Sequence, residues 1–204
     1  MARLYHGSSV LFDSFSLSHA GEGDGQAKFG YGVYVTTKYT TAAHYAFNKK
    51  RPQNKDYYVY TFEVPDPTPE NCLPLYKRVP VPAFIIERTE AKLGKSLPKE
   101  AKAEGIVFRK YLGNLLTGNI GTPKAMTSKS SFEGEKAASA FLLGIGLEFI
   151  EWPQGSWTKL DPSNRNFAVL DDSKVRTIRI DKVELTPGKE HQLVPESEKL
   201  IKEF

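Results

Sequence analysis

The chain has 204 residues, 40% of them hydrophobic and 25% charged, the composition of one folded domain with a sizeable core and not of a disordered or fibrous chain. Lys and Arg outnumber Asp and Glu 28 to 24, and the net charge of +4 permits attraction to nucleic acid without demanding it. No apolar run approaches the roughly 20 residues that cross a bilayer, and the single cysteine, Cys72, excludes an internal disulfide and a cysteine-built zinc cluster.

The opening residues, MARLYHGSS, lack the apolar core and small-residue cleavage site of a signal peptide, so a cytoplasmic protein is expected, acting in the producing or a target cell. His6, His19, His44 and His191 show no metal-ligand spacing, and no metal is expected.

Residues 3–6 read as a short strand turned by Gly7-Ser8-Ser9, which leaves His6 at a strand end. Phe12 and Phe15 mark a turn packed on the core, and residues 16–28 form a polar, glycine-bearing loop. Next comes FGYGVYVTTKYTTAAHYA, Phe29 to Ala46. Gly30 and Gly32 tolerate close backbone approach, Val33–Thr37 is β-type, and 40–47 winds into a helix carrying Tyr45. Two readings stay open: a hairpin edge and core helix with packed tyrosines, or an aromatic slot walled by Tyr34 and Tyr45.

Residues 48–56 form a basic turn, and Tyr57–Val64 is the clearest strand, rich in aromatic and β-branched residues. Cys72–Leu75 is a short extended piece. Residues 79–131 read as a helical and loop insertion, with helices near 83–93, 99–104 and 108–116 and a basic aromatic face at Arg109, Lys110 and Tyr111. Phe132–Leu143 is a helix, Leu147–Trp152 a strand, 153–165 a loop, Phe167–Leu170 a strand, and Val175–Ile180 extended. The tail, 187–204, is charged and expected as a surface helix or a disordered end. These elements predict an α+β fold, one domain over 1–186, with a mostly antiparallel sheet split around a cleft.

Three fragments in order resemble the ADP-ribosyltransferases of the poly(ADP-ribose) polymerase and diphtheria-toxin type: LYHGSS, FGYGVYVTT with AAHYA, and NFAVLDDSKVRTI. The last, preceded by AASAFLLGIGLEFIEW, is closest to bacterial and phage members found as toxins and in polyvalent proteins. The resemblance implies a split-sheet fold around an NAD cleft. It implies that His6 holds a ribose hydroxyl, that the Gly7 backbone binds the nicotinamide carboxamide with Ser8 adjacent, and that Tyr34 and Tyr45 sandwich the ring. The serine this family places before its second tyrosine is Ala42 here, so that hydrogen bond is missing or comes from Thr41.

Where the family carries a glutamate, this chain carries Asn166. An amide can bond a ribose hydroxyl but cannot act as a base or carry negative charge. Asn166 suffices, which fits mono-ADP-ribosylation, or another carboxylate substitutes (Glu148, Glu151 or Asp161), or the domain binds NAD without turning it over. Gln154 and Trp157 lie where the family recognises its acceptor, and Arg109 and Lys110 could guide a phosphate backbone. NAD as co-substrate is therefore expected, with transfer to RNA, DNA or protein, nucleic acid slightly favoured. An effector of this kind implies an antitoxin or immunity protein as a partner. Alternatives are a non-catalytic NAD- or ADP-ribose-binding module and a structural protein whose motifs match by chance.

Overall fold

Eight strands form one open sheet in the computed structural model, which describes residues 1–17, 27–47, 56–119, 131–155, 163–188 and 190–204. In chain order the elements are β1 (Ala2–Ser8), β2 (Val33–Thr36), α1 (Tyr39–Ala46), β3 (Tyr57–Val64) and β4 (Cys72–Pro74). They continue with α2 (Ala83–Leu93), α3 (Gly105–Leu116), α4 (Phe132–Leu143), β5 (Phe149–Pro153), β6 (Arg165–Val169), β7 (Arg176–Val183) and β8 (Lys199–Glu203). The strand order is β4-β5-β6-β2-β1-β3-β7-β8, antiparallel throughout except for the β4–β5 pair. The expected α+β mixture with a mostly antiparallel sheet is what forms.

Alternation along each strand assigns its side chains to two faces. On one face Leu4, Val33, Val35, Tyr60, Phe62, Phe149 and Phe167 make a buried layer against which Phe12, Phe15 and Leu17 pack. The other face is covered by helices in two blocks. α1 lays Ala42 and Ala43 on Val59 and Val183, while α2, α3 and α4 build a larger core with Leu73, Ile150, Trp152, Ala168 and Leu170.

Gly7 explains how close α1 comes. A Cβ there would stand 1.8 Å from the Ala42 carbonyl oxygen, so β1 and α1 meet backbone to backbone, and Ala42 and Ala46 are small for the same reason.

The described helices within 79–131 pack into the core, with Val81, Ile85, Leu97, Ala101, Phe108 and Leu112 all buried in the larger cluster. Their apolar residues are spread thinly along the chain but converge on one side once folded. One expectation changes. The tail is neither a helix nor a loose end: residues 199–203 pair with β7 as an exposed edge strand. The free edge of β7 supplies its partner, a cause that lies outside the tail's own composition.

Candidate functional site

The sheet is joined at its middle by very little. β1 pairs with β3 along its whole length, Ala2 to Ser8, yet touches β2 at one register pair, Tyr5↔Thr36. The sheet is thus two four-stranded halves, β4-β5-β6-β2 and β1-β3-β7-β8, with a seam between β1 and β2. From His6 to Ser8 the β2-facing edge of β1 has no strand partner among the described residues. The first two fragments flank this seam, and the third places Asn166 on β6, one strand beyond β2.

His6 stands where the ladder stops. Its Nδ1 lies 2.6 Å from the Tyr34 carbonyl oxygen, which can only accept, so Nδ1 carries the proton and Nε2 is left as an acceptor. The side chain supplies a bond that a fully zipped β1–β2 ladder would have made from backbone. Phe12, Phe15 and Tyr60 surround the ring edge-on, with Phe15 at 4.7 Å between centroids. Burial pushes its pKa down to about 4, against the opposing effect of the Tyr34 bond, so the imidazole is neutral near pH 7. Its side chain leaves on the aromatic-layer face, opposite the one that carries Tyr34 and Asn166. Ser8 is used locally: its Oγ accepts from the Val10 N–H at 3.0 Å and shapes the turn.

Tyr34 is fixed at both ends. Its ring packs against Trp152 at 5.0 Å and Phe29 at 6.4 Å between centroids. Its hydroxyl accepts from the Phe29 N–H at 2.8 Å and donates to the Gly30 carbonyl at 3.0 Å. Gly30 has φ of 117°, a left-handed conformation that a side chain would strain, and this lets the chain curl over the tyrosine. Burial raises the Tyr34 pKa to about 12, so the phenol stays protonated. Tyr45 on α1 is 50% exposed, with the His44 ring edge-on at 5.6 Å between centroids. Burial of its hydroxyl end also raises its pKa, the bond to Gln154 working the other way. Thr41, one turn earlier, donates to the Asn164 side-chain oxygen at 3.3 Å and ties α1 to the start of β6.

Asn166 is 2% exposed and pairs with Thr36 on one side and Trp152 on the other. Its amide donates to Gln154 Oε1 at 3.0 Å, and the Tyr45 hydroxyl donates to the same oxygen at 2.6 Å. Tyr34, Trp152, Gln154, Asn166 and Tyr45 therefore form one continuous group on the helical face.

The two carboxylate candidates among the described residues are elsewhere. Glu151 points to the opposite face, where its Oε1 accepts from the Tyr76 hydroxyl at 2.5 Å and pairs with Arg165 at 3.4 Å. Glu148 precedes β5, at the end remote from Asn166, and is held by Asn71 at 3.0 Å and by Lys174. Asp161 and Trp157 lie outside the described residues. Among the described residues the Asn166 neighbourhood is built of amides, hydroxyls and rings.

Arg109 corrects an expectation. It faces inward, fully buried, paired with Glu135 of α4 and donating to the Lys28 carbonyl at 3.0 Å. A guanidinium so enclosed cannot guide a phosphate backbone. It holds the turn at 27–30 that caps Tyr34, and burial lowers its pKa to about 10. Lys110, beside it, is only partly exposed, and its pKa is lowered by burial and by the Arg109 charge.

A cavity of about 630 Å³ lies away from this group, lined by Arg3, Tyr5, Tyr39, Arg179, Asp181 and Phe204 among others. Its Arg179 and Asp181 already satisfy each other at 2.8 Å. Among the described residues no cluster of three His, Cys, Asp or Glu could hold a metal ion, and no helix is long and apolar enough to cross a membrane. Comparison with protein-family models, with curated proteins and with solved structures gave no match, so the reading of the site rests on its own residues.

Two features escaped the sequence reading: the aromatic cage of Phe12, Phe15 and Tyr60 around His6, and Trp152 backing Tyr34. Trp152 carried a usable signal, since in an alternating strand next to Asn166 it falls on the same face as Ile150 and opposite Glu151.

Proposed function

We propose that the chain is an NAD-dependent mono-ADP-ribosyltransferase that modifies a macromolecule. The observation that carries this reading is that fragments far apart in the chain lie on neighbouring elements: His6-Gly7 on β1, Tyr34 on β2 and Asn166 on β6, with Asn166 bonded through Gln154 to Tyr45 of α1. The unpartnered edge of β1 at Gly7 offers backbone donor and acceptor groups suited to a carboxamide, which has one of each. His6 leaves on the opposite face, inside the ring cage of Phe12, Phe15 and Tyr60, so its part in this reading is to brace the Tyr34 carbonyl beside the seam. The half-exposed Tyr45 ring suits a flat heterocycle, with stacking worth about 1 kcal/mol.

The reaction is displacement at the ribose C1′ of NAD. The C1′–nitrogen bond to nicotinamide breaks and the leaving group keeps the electron pair. The acceptor heteroatom bonds C1′ and gives its proton to solvent. The transition state has oxocarbenium character, which an amide stabilises less well than a carboxylate. That supports single transfers over chain elongation. The preference for nucleic acid as acceptor loses one support with Arg109 buried. Protein, RNA and DNA all belong in the assay, and an effector role with a cognate inhibitor remains part of the proposal.

The test is incubation with labelled NAD and separate protein, RNA and DNA pools. Label in one pool together with free nicotinamide supports the reading, and neither product sinks it. A second reading, NAD binding without turnover, is favoured by one observation: no described carboxylate faces Asn166. Saturable NAD binding with no nicotinamide release would establish that alternative.

A further inference from the structure

Gln154 follows the last residue of β5, and its side chain joins two other elements across the seam. Its Oε1 accepts the Tyr45 hydroxyl proton at 2.6 Å and an Asn166 amide proton at 3.0 Å. Tyr45 rides on α1, which packs on the β1–β3 half, whereas Asn166 and Gln154 belong to the other half. An amide oxygen has two lone pairs, and these two donors occupy both.

Each bond fixes something. Asn166 has a planar amide that, left free, presents either its N–H groups or its oxygen to a ligand. With one N–H committed to Gln154, the oxygen is turned away from Gln154. Tyr45 is half exposed and is tethered at the far end of its ring, which sets the angle of that ring over the seam. One oxygen thus orients both groups.

We propose that Gln154 is the positioning residue of this site: it turns the Asn166 oxygen towards the ribose hydroxyls and holds the Tyr45 ring at its stacking angle. This rests on NAD being the substrate. An oriented oxygen accepts the 2′-hydroxyl proton and leaves that ribose oxygen richer in electron density as C1′ becomes cationic. A randomly turned amide would present an N–H to the same hydroxyl half the time, which opposes the reaction. Gln154 itself touches neither the leaving group nor C1′, so it acts through Asn166 and Tyr45.

The experiment compares wild type, Gln154→Leu and Gln154→Glu for nicotinamide release and for NAD affinity by calorimetry. Leucine fills the volume but accepts nothing, and glutamate keeps an acceptor oxygen. For Gln154→Leu, kcat falls about tenfold or more with NAD affinity changed less than about threefold, the pattern of lost orientation and not lost binding. Gln154→Glu restores most of the rate. Tyr45→Phe costs activity in wild type but little more in the Gln154→Leu background, because the shared bond is already gone. The Asn166 side-chain amide resonances shift in Gln154→Leu and return towards wild type in Gln154→Glu, a readout that needs no NAD. Wild-type kcat in folded Gln154→Leu, or equal failure of Glu and Leu, overturns the positioning role while leaving the transferase reading intact. A wild type that neither binds NAD nor releases nicotinamide overturns both.

Discussion

Tyr5 and Thr36 are the single register pair joining β1 to β2, and with it the two halves of the sheet. One residue past this pair, the His6 ring takes the Tyr34 carbonyl at 2.6 Å. The seam opens because a side chain, not a backbone, meets β2 there. What then keeps the halves in register is packing over the seam, chiefly α1.

Gly7 is where that packing is tightest. Gly7→Ala places a methyl 1.8 Å from the Ala42 carbonyl oxygen and 2.6 Å from the Ala46 nitrogen, both backbone atoms that cannot rotate away. The variant should lose about 1–3 kcal/mol, the usual cost of overpacking. Displaced α1 also carries Tyr45 off Gln154, so NAD affinity should fall with stability. Urea unfolding and calorimetry check the two effects; unchanged stability would mean α1 is free to move.

His6 gives stability a pH dependence of known sign. Its pKa in the fold is about 4, below the ordinary 6.5, because burial disfavours the charged ring. As pH falls through 6.5 the unfolded chain takes the proton first. The contribution of the neutral ring is therefore fully present above pH 6.5 and is lost as pH drops towards 4, at up to about 1.4 kcal/mol per pH unit. His6→Gln keeps a donor for the Tyr34 carbonyl and removes the titration. Urea midpoints between pH 7 and 4.5 should slope less steeply in this variant than in wild type.

Some of this architecture was legible in the residues, and the reasons differ from element to element. β3 was plain because TyrTyrValTyrThrPheGluVal suits a strand buried on both faces. α4 was plain because Ala137, Ala140, Phe141 and Gly144 recur on one side, and the structure adds its cap, Ser131, whose Oγ accepts the Gly134 N–H. Local pattern is enough for such elements. Arg109 was misread because Arg-Lys-Tyr looks like a solvated face, and its partner Glu135 arrives only when α4 packs on α3. β8 was missed because its strand form depends on β7. Gln154 was noticed, but in a loop that local pattern cannot place, and its bond to two other elements is a property of the seam.

Burial of Arg109 predicts a structural and not an acceptor-binding phenotype. Arg109→Ala leaves Glu135 as a buried carboxylate without its guanidinium and frees the Lys28 carbonyl. The expected loss is about 3–5 kcal/mol, the cost of breaking one side of a buried pair. Arg109→Met with Glu135→Gln should recover much of it. In that double variant the salt dependence of any nucleic-acid binding should match wild type, whereas loss of a phosphate contact would lower the salt slope by about one. Binding measured at several salt concentrations separates the two.

On the proposed transferase reading, Asn166 is the position at which a negative charge can be introduced and its effect measured. Asn166→Asp keeps the shape, and Gln154 can reverse its amide to donate to the new carboxylate and to Tyr45. Negative charge beside the ribose should raise nicotinamide release by about tenfold or more, in keeping with the worth of one well-placed electrostatic group. The same change puts a charge where the side chain is 2% exposed, so the variant should melt lower than wild type. Burial will also lift the new carboxyl's pKa above its usual value, so the gain should grow with pH across that range and then level off. Asn166→Ala should move the other way and lose most of the turnover without a comparable loss of stability. Nicotinamide release from pH 5 to 9, with melting curves for all three proteins, checks each direction. Equal rates for wild type, Ala and Asp would place the reacting ribose away from Asn166.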